Sequence, residues 1–151
     1  WTIPQVRALM ALFENKFSDS DTCSVCLYGE VYGGSVQTLD YGIPKGKGYG
    51  FAAFDIKVNG NYIDADKFHE ICGECGIPVA PILYRGPYSE EKIKEIAQGD
   101  TVLGSGKNIR EGAVVKPVKE RTHPKLGRVV LKVISDAYYL SKHKESEVGD
   151  E

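Results

Sequence analysis

The sequence predicts an α+β fold built on antiparallel sheet, and three observations lead to this prediction. Segments with apolar residues at helical spacing alternate along the chain with short runs of β-branched and aliphatic residues. Asn59-Gly60 stands between two such runs and is a strong signal for a tight β-hairpin. Glycine, proline and polar residues separate the segments at short intervals, which is typical of short strands interleaved with helices.

The length and composition indicate one globular domain. A chain of 151 residues can bury a sizeable core, and 42% hydrophobic with 26% charged residues is ordinary for such a protein. The formal charge of −2 gives no overall attraction for nucleic acid, so a basic surface would have to be local. We expect a phosphate-binding face in the second half, where basic residues concentrate: Lys107, Arg110, Lys116, Lys119, Arg121, Lys125, Arg128 and Lys132.

The first half of the chain is predicted to form helix, strand and hairpin. Apolar residues from Ile3 to Phe17 recur at helical spacing, and Pro4 suits a first helical turn. The predicted elements are a helix over 3–17, a strand over 26–32, an exposed glycine-rich loop over 41–50, a strand over 51–58 and a return strand that starts at Tyr62.

The second half is predicted to contain two helices and two strands. Asp66 is the expected cap of a helix that closes at Gly76, and Ser89 is the expected cap of the next helix. The predicted elements are helices over 66–75 and 90–98, an extended segment over 77–84, and strands over 112–117 and 128–135. We expect the domain to cover residues 1–141 and the charged residues 142–151 to be a disordered tail.

The chain start and the hydropathy bear on location. The sequence begins at Trp1 with no initiator Met and no signal-like apolar run, so we expect the start to be a cut. No stretch approaches the ~20 apolar residues of a spanning helix. A cytoplasmic protein that is not embedded in a membrane is therefore expected, with a monomer favoured.

Four cysteines form two Cys-x-x-Cys pairs, Cys23/Cys26 and Cys72/Cys75. Two such pairs can make a four-thiolate zinc site, although the gap between them is longer than in usual zinc ribbons. The second pair lies at a predicted helix end, where thiols often pack half-buried. Reduced thiols are the favoured interpretation, and zinc remains the alternative.

The segment from Glu111 to Lys116, with Lys132 on the next predicted strand, has the residue types of a metal–phosphate site. A carboxylate can take Mg²⁺ directly or through water, and ammonium groups neutralise phosphate oxygens. If the two strands are neighbours, the three side chains can converge on one pocket. This is the equipment of a nucleotidyl-transfer site.

Four segments, in this order, resemble motifs of the nucleotidyltransferase domain of ATP-dependent RNA ligases, in the wider superfamily of DNA ligases and mRNA capping enzymes. The resemblance covers about residues 20 to 140, and its order and spacing make it more specific than any single motif. The segments are Tyr28-Gly-Glu-Val-Tyr-Gly-Gly34, Phe51-Ala-Ala-Phe-Asp-Ile56, Glu111-Gly-Ala-Val-Val-Lys116 and Leu131-Lys-Val-Ile-Ser135.

The resemblance implies a role for each matching residue. Glu30 would contact the ribose or the nearby metal shell, and Phe54 would stack on the adenine. Glu111 would help to bind the catalytic metal, while Lys116 and Lys132 would contact the ATP phosphates. The implied cofactors are ATP and Mg²⁺ (or Mn²⁺), and the implied fold is the ligase adenylylation domain, incomplete at its N-terminus.

Each of these residues also has an ordinary structural interpretation. Taken alone, Phe54 beside Ala53 on a strand is more typical of a core residue than of an adenine platform. Phe51 is the second candidate for the platform, and strand alternation places it on the opposite face. Glu30 and Glu111 can be surface carboxylates, and the two lysines can be solvated strand ends. The functional interpretation therefore depends on the conjunction of all these residues.

Two departures from the family pattern limit what the chain can do. Family members attack ATP with the lysine of a Lys-x-Asp-Gly motif, and the sequence contains no such motif. The nearest string, Lys57-Val-Asn-Gly60, is interpreted as a hairpin turn. Several relatives carry Lys-x-Lys in the last motif, whereas here Val130 precedes Lys132 at that spacing. The segment Gly104-Ser-Gly-Lys107 also lacks the residues of a true phosphate loop.

The sequence therefore predicts part of an RNA ligase that joins 5′-phosphate and 3′-hydroxyl ends through lysyl-AMP and adenylylated-polynucleotide intermediates, with RNA repair as the expected process. The partner would be nucleic acid with such ends, RNA favoured, and the chain alone would be inactive in self-adenylylation. Two alternatives stay open: a non-catalytic nucleic-acid-binding module and a zinc-stabilised structural domain. A DNA ligase or capping-enzyme relative is less favoured, because those proteins carry a further C-terminal barrel.

Overall fold

The computed structural model describes residues 3–14, 24–104 and 108–147, and it confirms the α+β prediction. Helices and antiparallel strands interleave along the chain, as the sequence pattern indicated. The elements are α1 (Ile3–Glu14), β1 (Val25–Tyr32), β2 (Gly50–Val58), β3 (Asn61–Tyr62), α2 (Ala65–Glu74), α3 (Glu90–Ala97), β4 (Gly112–Val115), β5 (Thr122–His123), β6 (Gly127–Arg128), β7 (Leu131–Ile134) and α4 (Asp136–Glu147).

The residues of the chain group into two compact units, which are described separately below. The first unit comprises Trp1–Val31, Gly50–Ala80 and Pro117–Val129. The second unit comprises Tyr32–Tyr49, Pro81–Lys116 and Val130–Glu151.

The first unit is built on the sheet β1-β2-β3. The predicted hairpin joins β2 to β3, with Lys57 paired to Tyr62. Asn59 and Gly60 have φ angles of 49° and 82°, the positive values that a two-residue hairpin of this kind requires. The unit's core is formed by α1, α2 and β2, through Leu9, Phe13, Ala53, Ile56, Phe68, Ile71, Cys72, Cys75 and Ile77.

The start of α2 corrects one prediction. The residue before the helix is Asp64, not Asp66, and Asp66 lies in the first turn. The Asp64 carboxylate makes no capping bond; it accepts hydrogen bonds from Lys119 Nζ (2.8 Å) and from the backbone N–H of Glu120 (2.8 Å). These bonds, the one to Lys119 foremost, hold the pKa of Asp64 below its ordinary value. The Asp64 carboxylate therefore binds Lys119, 55 residues away in the sequence, and does not cap the helix.

The second unit is built on the antiparallel pair β4–β7, with α3 packed against both strands. The predicted cap of α3 is confirmed, because Ser89 Oγ accepts from the Lys92 N–H at 3.2 Å. α4 follows β7 directly. Ser135 Oγ accepts from the Tyr138 N–H at 3.2 Å, as an N-cap side chain does.

Two predicted boundaries differ from the structure, and a third lies outside the described residues. The strand expected over 128–135 is two elements, since Arg128 ends the small hairpin β5–β6 and β7 begins at Leu131. α4 continues to Glu147 and so includes the first residues of the expected tail, while residues 148–151 lie outside the described part. The first helix is described only to Glu14, so the expected turn over 15–17 also lies outside it.

Within the described residues, every helix is too short or too polar to span a membrane.

Candidate active site

The register of β4 and β7 places Lys132 opposite Val114. Val114 and Lys132 are exposed, so this face of the strand pair is open to solvent. β4 ends at Val115, and Lys116 is the next residue along the chain. The convergence of Lys116 and Lys132 on one pocket stays a prediction.

Glu111 lies at the start of β4 and its main chain is fixed by Ser135. The Ser135 N–H donates to the Glu111 carbonyl at 2.9 Å, and Ser135 Oγ, fully buried, donates to the Arg110 carbonyl at 2.5 Å. Gly112 follows with φ +152°, and a side chain there would overlap the carbonyl oxygen of Val133. The approach of β7 to this point therefore requires a glycine directly after Glu111.

Arg110 anchors the same point to the end of α3. Its guanidinium donates to the carbonyls of Ile96, Gln98 (3.1 Å) and Asp100 (2.8 Å). These carbonyls lie at and beyond the helix C-terminus, where a cation is favoured by the helix dipole. The residue before Glu111 is thus held by three main-chain oxygens.

The Glu111 carboxylate is held by Tyr41. The Tyr41 hydroxyl donates to Glu111 Oε1 at 2.5 Å. Tyr41 is only 9% exposed and has φ 49°. Its ring meets the edge of Tyr32 at 5.8 Å, and the carbonyl of Tyr41 leaves room only for a glycine at Gly104. Tyr41 is therefore a rigid donor and not part of an exposed loop.

A second bond ties the Tyr41 segment to the segment before Glu111. Asn108 Nδ2 donates to Asp40 Oδ1 at 3.0 Å, and the same oxygen accepts from the Gly42 N–H at 2.9 Å. The Asn108 carbonyl accepts from the Thr101 N–H. The neighbours of Tyr41 and Glu111 are thus joined independently of the Tyr41–Glu111 bond.

The spacing along β4 sets the shape of a ligand that could use these residues. Five residues separate Glu111 from Lys116, about 17 Å along a strand. Only an extended ligand can contact both, and a metal-bound triphosphate is extended. The described residues contain no group of three or more His, Cys, Asp and Glu side chains placed around a metal. Glu111 can therefore supply one ligand, with phosphate and water oxygens completing the shell of a hard cation.

Phe54 and Glu30 belong to the first unit, and both are on its surface. Phe54 is 40% exposed, although its neighbours Ala53 and Asp55 are buried. Phe51 packs instead against the core, where its ring leaves no space for a side chain at Gly29. The interpretation of Phe54 as a core residue is wrong, and Phe51, the second candidate for the platform, is the ring that packs against the core. Glu30 is exposed on β1.

Comparison with protein-family models gives a match to RNA ligase over residues 3–134. The chain belongs to the RNA ligase family. The match includes Glu30, Phe54 and the Glu111–Lys116 segment, and it confirms the family proposed from the four motifs. A comparison with curated proteins found no match.

The RNA ligase chain has a buried ionic cluster that the sequence did not reveal. Arg128 donates to both oxygens of Asp55 (2.8 Å each) and to Glu120 (3.0 and 2.5 Å). Its guanidinium also lies 3.5 Å from the centroid of the Tyr62 ring. The hydrogen bonds with Asp55, and then those with Glu120, raise the pKa of Arg128 above its ordinary value against the opposing effect of burial.

Lys57 is also engaged within the first unit. Its ammonium lies 4.5 Å from the Tyr62 centroid and 5.8 Å from that of Tyr28. Lys57 pairs with Tyr62 in the ladder, and the turn itself is Asn59-Gly60. The hairpin interpretation of Lys57–Gly60 is confirmed. Lys107 of the glycine-rich string lies outside the described residues.

Among the described residues, the cysteines of the RNA ligase chain do not form a metal-binding group. Cys72 and Cys75 are buried, and Cys26 is exposed on β1, while Cys23 lies outside the described part. Burial, and the proximity of Cys75, raise the pKa of the Cys72 thiol to about 11. Burial also raises the pKa of Cys75. Both thiols in α2 and its cap are protonated at neutral pH, and zinc binding through all four cysteines stays a prediction.

Local signals could have found some of these residues and not others. Ser135 followed by Asp136 has the form of a helix start, so its capping role was readable from the sequence. Tyr41 gave no such signal, because its partner Glu111 lies 70 residues away.

Proposed function

We propose that this chain is part of an ATP-dependent RNA ligase that joins a 5′-phosphate to a 3′-hydroxyl through lysyl-AMP and adenylylated-RNA intermediates. The observation that carries the proposal is the Tyr41–Glu111 bond, which orients a carboxylate at the start of the strand leading to Lys116. Lys132 projects from the facing strand. ATP and Mg²⁺ or Mn²⁺ are the proposed cofactors.

Glu111, Lys116 and Lys132 would act on the phosphates. Glu111 would hold a divalent cation, which would supply positive charge beside the phosphates, and the two lysine ammoniums would stabilise the charge that builds during transfer. Lys132 is exposed on β7, where a bound anion could reach it.

Phe54 and Glu30 would act on the nucleoside. The exposed ring of Phe54 offers a flat surface for adenine, and stacking of a base on an aromatic ring contributes about 1–3 kcal/mol. Glu30 carries an exposed carboxylate that can accept hydrogen bonds from ribose hydroxyls.

The first two chemical steps need a lysine that this sequence does not supply in a Lys-x-Asp-Gly motif. The lysine nitrogen attacks the α-phosphorus of ATP and pyrophosphate leaves; the 5′-phosphate oxygen then takes AMP from the lysine. The 3′-hydroxyl oxygen finally attacks the activated 5′-phosphorus and AMP leaves. We do not assign Lys57 as this lysine, because it lies in the β2–β3 hairpin with its ammonium over the Tyr62 ring.

The proposal is tested by transfer of ³²P from the α-phosphate of ATP to protein, with Mg²⁺ or Mn²⁺. The 151-residue chain is compared with a longer gene product that carries an upstream lysine motif. Label on the longer product alone supports the proposal, and its loss in Glu111→Gln supports the assigned metal ligand. Glu91→Gln, on the exposed side of α3, is the matched control.

A non-catalytic nucleic-acid-binding module is the second candidate, because the sequence lacks the nucleophile motif. It predicts RNA binding with a strong salt dependence that ATP does not change. Absence of label on the longer product, together with such binding, would favour this candidate.

A further inference from the structure

A loop of the second unit presents two lysines and a tyrosine to solvent, and the proposed chemistry does not use it. The loop runs from Pro44 to Tyr49 with the sequence Pro-Lys-Gly-Lys-Gly-Tyr. Lys45 and Lys47 are exposed, and the Tyr49 side chain is 69% exposed. A ring this exposed is accessible to a base that could stack on it.

The main chain of this loop is anchored although its side chains are exposed. The Gly34 N–H donates to the Ile43 carbonyl (2.8 Å), and the Gly46 N–H donates to Ser35 Oγ (2.9 Å). The Lys47 N–H closes a turn on the Pro44 carbonyl at 3.0 Å. The loop therefore holds its side chains in a defined arrangement.

Close packing supports the same conclusion. A side chain at Gly34 would stand 2.7 Å from the Lys45 nitrogen, so the loop backbone lies directly on the turn at Gly34. Gly46 and Gly48 have φ angles of +80° and +109°, which L-residues with side chains rarely adopt. Gly46 and Gly48 alternate with the two lysines. They let the backbone turn and add no side chain that would cover the lysines.

We propose that the loop Pro44–Tyr49 binds single-stranded RNA, with Lys45 and Lys47 on neighbouring phosphates and a base stacked on Tyr49. Lysines two positions apart are at most about 7 Å from each other along the chain, and their stems reach further. Proteins that hold single strands combine a basic track with an aromatic platform. The proposal rests on the proposed function for the identity of the partner as RNA.

Charge complementarity favours this occupant. The formal charge of the chain is −2, so attraction for a polyanion must come from a local group of cations. Two lysines of α3 in the same unit are engaged in ion pairs, Lys92 with Glu95 (2.9 Å) and Lys94 with Glu90 (2.6 Å). A flat ring beside two ammoniums suits unpaired bases better than a duplex, whose bases are already stacked.

The test measures binding of fluorescein-labelled single-stranded RNA to the 151-residue chain by anisotropy at several salt concentrations. Each phosphate contact with a single strand contributes about 0.7 to the slope of log affinity against log salt. K45A/K47A is therefore expected to reduce that slope by about 1.4. K92A/K94A, which removes two ion-paired lysines from α3, is the matched control and should leave the slope unchanged.

Tyr49 is tested separately. Y49A is expected to weaken binding at least about 5-fold, the lower limit for loss of one stacked base, and Y49F is expected to retain it. Three results would overturn the proposal. They are no RNA binding by the wild-type chain, an unchanged salt slope in K45A/K47A, and a loss of affinity in the variants for duplex RNA alone. If ³²P transfer to the longer product succeeds while any of these is found, the loop assignment fails and the proposed ligase function stands.

Discussion

The hydrogen bond from Tyr41 to Glu111 fixes the carboxylate that we propose as a ligand of the catalytic metal. A carboxylate on a free strand end samples several rotamers, and it loses this conformational entropy when it binds a metal. A hydrogen bond that already fixes the carboxylate reduces the entropy lost on binding. The donor must itself be rigid, and Tyr41 is buried with its ring against Tyr32. Tyr41 has no catalytic role in our proposal, but it positions Glu111, which has one.

We expect Tyr41→Phe to weaken metal use while leaving the fold intact. Loss of a hydrogen bond to a charged group costs about 1.5–3 kcal/mol, or roughly 10- to 150-fold. The expected result is a higher Mg²⁺ requirement for ³²P transfer to the longer gene product, with an unchanged unfolding midpoint. Tyr139→Phe, on the exposed surface of α4, is the control. An unchanged Mg²⁺ titration would mean that Tyr41 does not position Glu111.

The buried thiol of Cys72 gives a prediction that depends on pH. Its pKa is raised to about 11, so the stability that comes from keeping it protonated is complete below the ordinary pKa near 9 and is lost as pH rises to 11. We expect the free energy of urea unfolding to fall by about 2–3 kcal/mol over this range through this group. Cys72→Ala should show a smaller fall over the same interval.

Alkylation at a single pH tests whether the Cys72 thiol is buried. At pH 8 we expect iodoacetamide to modify Cys26, which is exposed, long before Cys72 in the folded chain. Equal rates measured by mass spectrometry would contradict the burial of Cys72.

At the scale of elements, the Arg128 cluster joins β2, β6 and the segment before β5. Asp55 lies in β2, Glu120 precedes β5 and Arg128 ends β6, so the small hairpin β5–β6 is attached to the main sheet through charges. The Arg128 side chain is 21% exposed and the two carboxylates less, so the cluster is largely withdrawn from water. Such a cluster depends on all its members, because a buried charge left alone is costly.

We expect Arg128→Met to destabilise the chain by about 3–5 kcal/mol in urea unfolding, since it leaves two carboxylates without their cation. Lys119→Ala is the matched control in the same unit. It removes an exposed pair with Asp64 and should destabilise the chain much less than Arg128→Met does. Equal effects of the two changes would show that the Arg128 cluster contributes no more than a surface pair.

The same scale shows what the sequence could predict. The Asn59-Gly60 hairpin and the Ser89 cap were found because their signals lie within four residues. The strand proposed over 128–135 was wrong, because its aliphatic run does not reveal that Gly127, at φ +76°, turns Arg128 back to pair with Thr122. The sequence left Phe54 open between a core residue and an exposed platform, because local pattern does not say what covers each face of a strand.

At the scale of the whole molecule, the Lys-x-Asp-Gly motif of the nucleophile is absent from the sequence. Only the first two steps of the proposed reaction form or break a bond to lysine. The third step needs a metal, the phosphate-binding lysines and an activated 5′-end. The chain therefore retains the residue types for that step alone.

We expect the 151-residue chain to join RNA that already carries a 5′-adenylyl group to a 3′-hydroxyl, with release of AMP, and to give no product from ATP and an ordinary 5′-phosphate. Gel electrophoresis of labelled RNA measures both reactions. Lys132→Ala should lower joining by at least about 10-fold, and Lys94→Ala should not. Joining of the ordinary 5′-phosphate would contradict the absence of a nucleophile.

The glycine after Glu111 has a consequence for how this protein tolerates mutation. Gly112 is required by backbone geometry alone, because any side chain would overlap the Val133 carbonyl. Glu111 is required, in our proposal, by chemistry alone. A library randomised at codons 111 and 112 would therefore separate two kinds of selection. Sorting for folded protein should enrich glycine at position 112 and leave position 111 variable. Only sorting for ligation should restore glutamate at position 111.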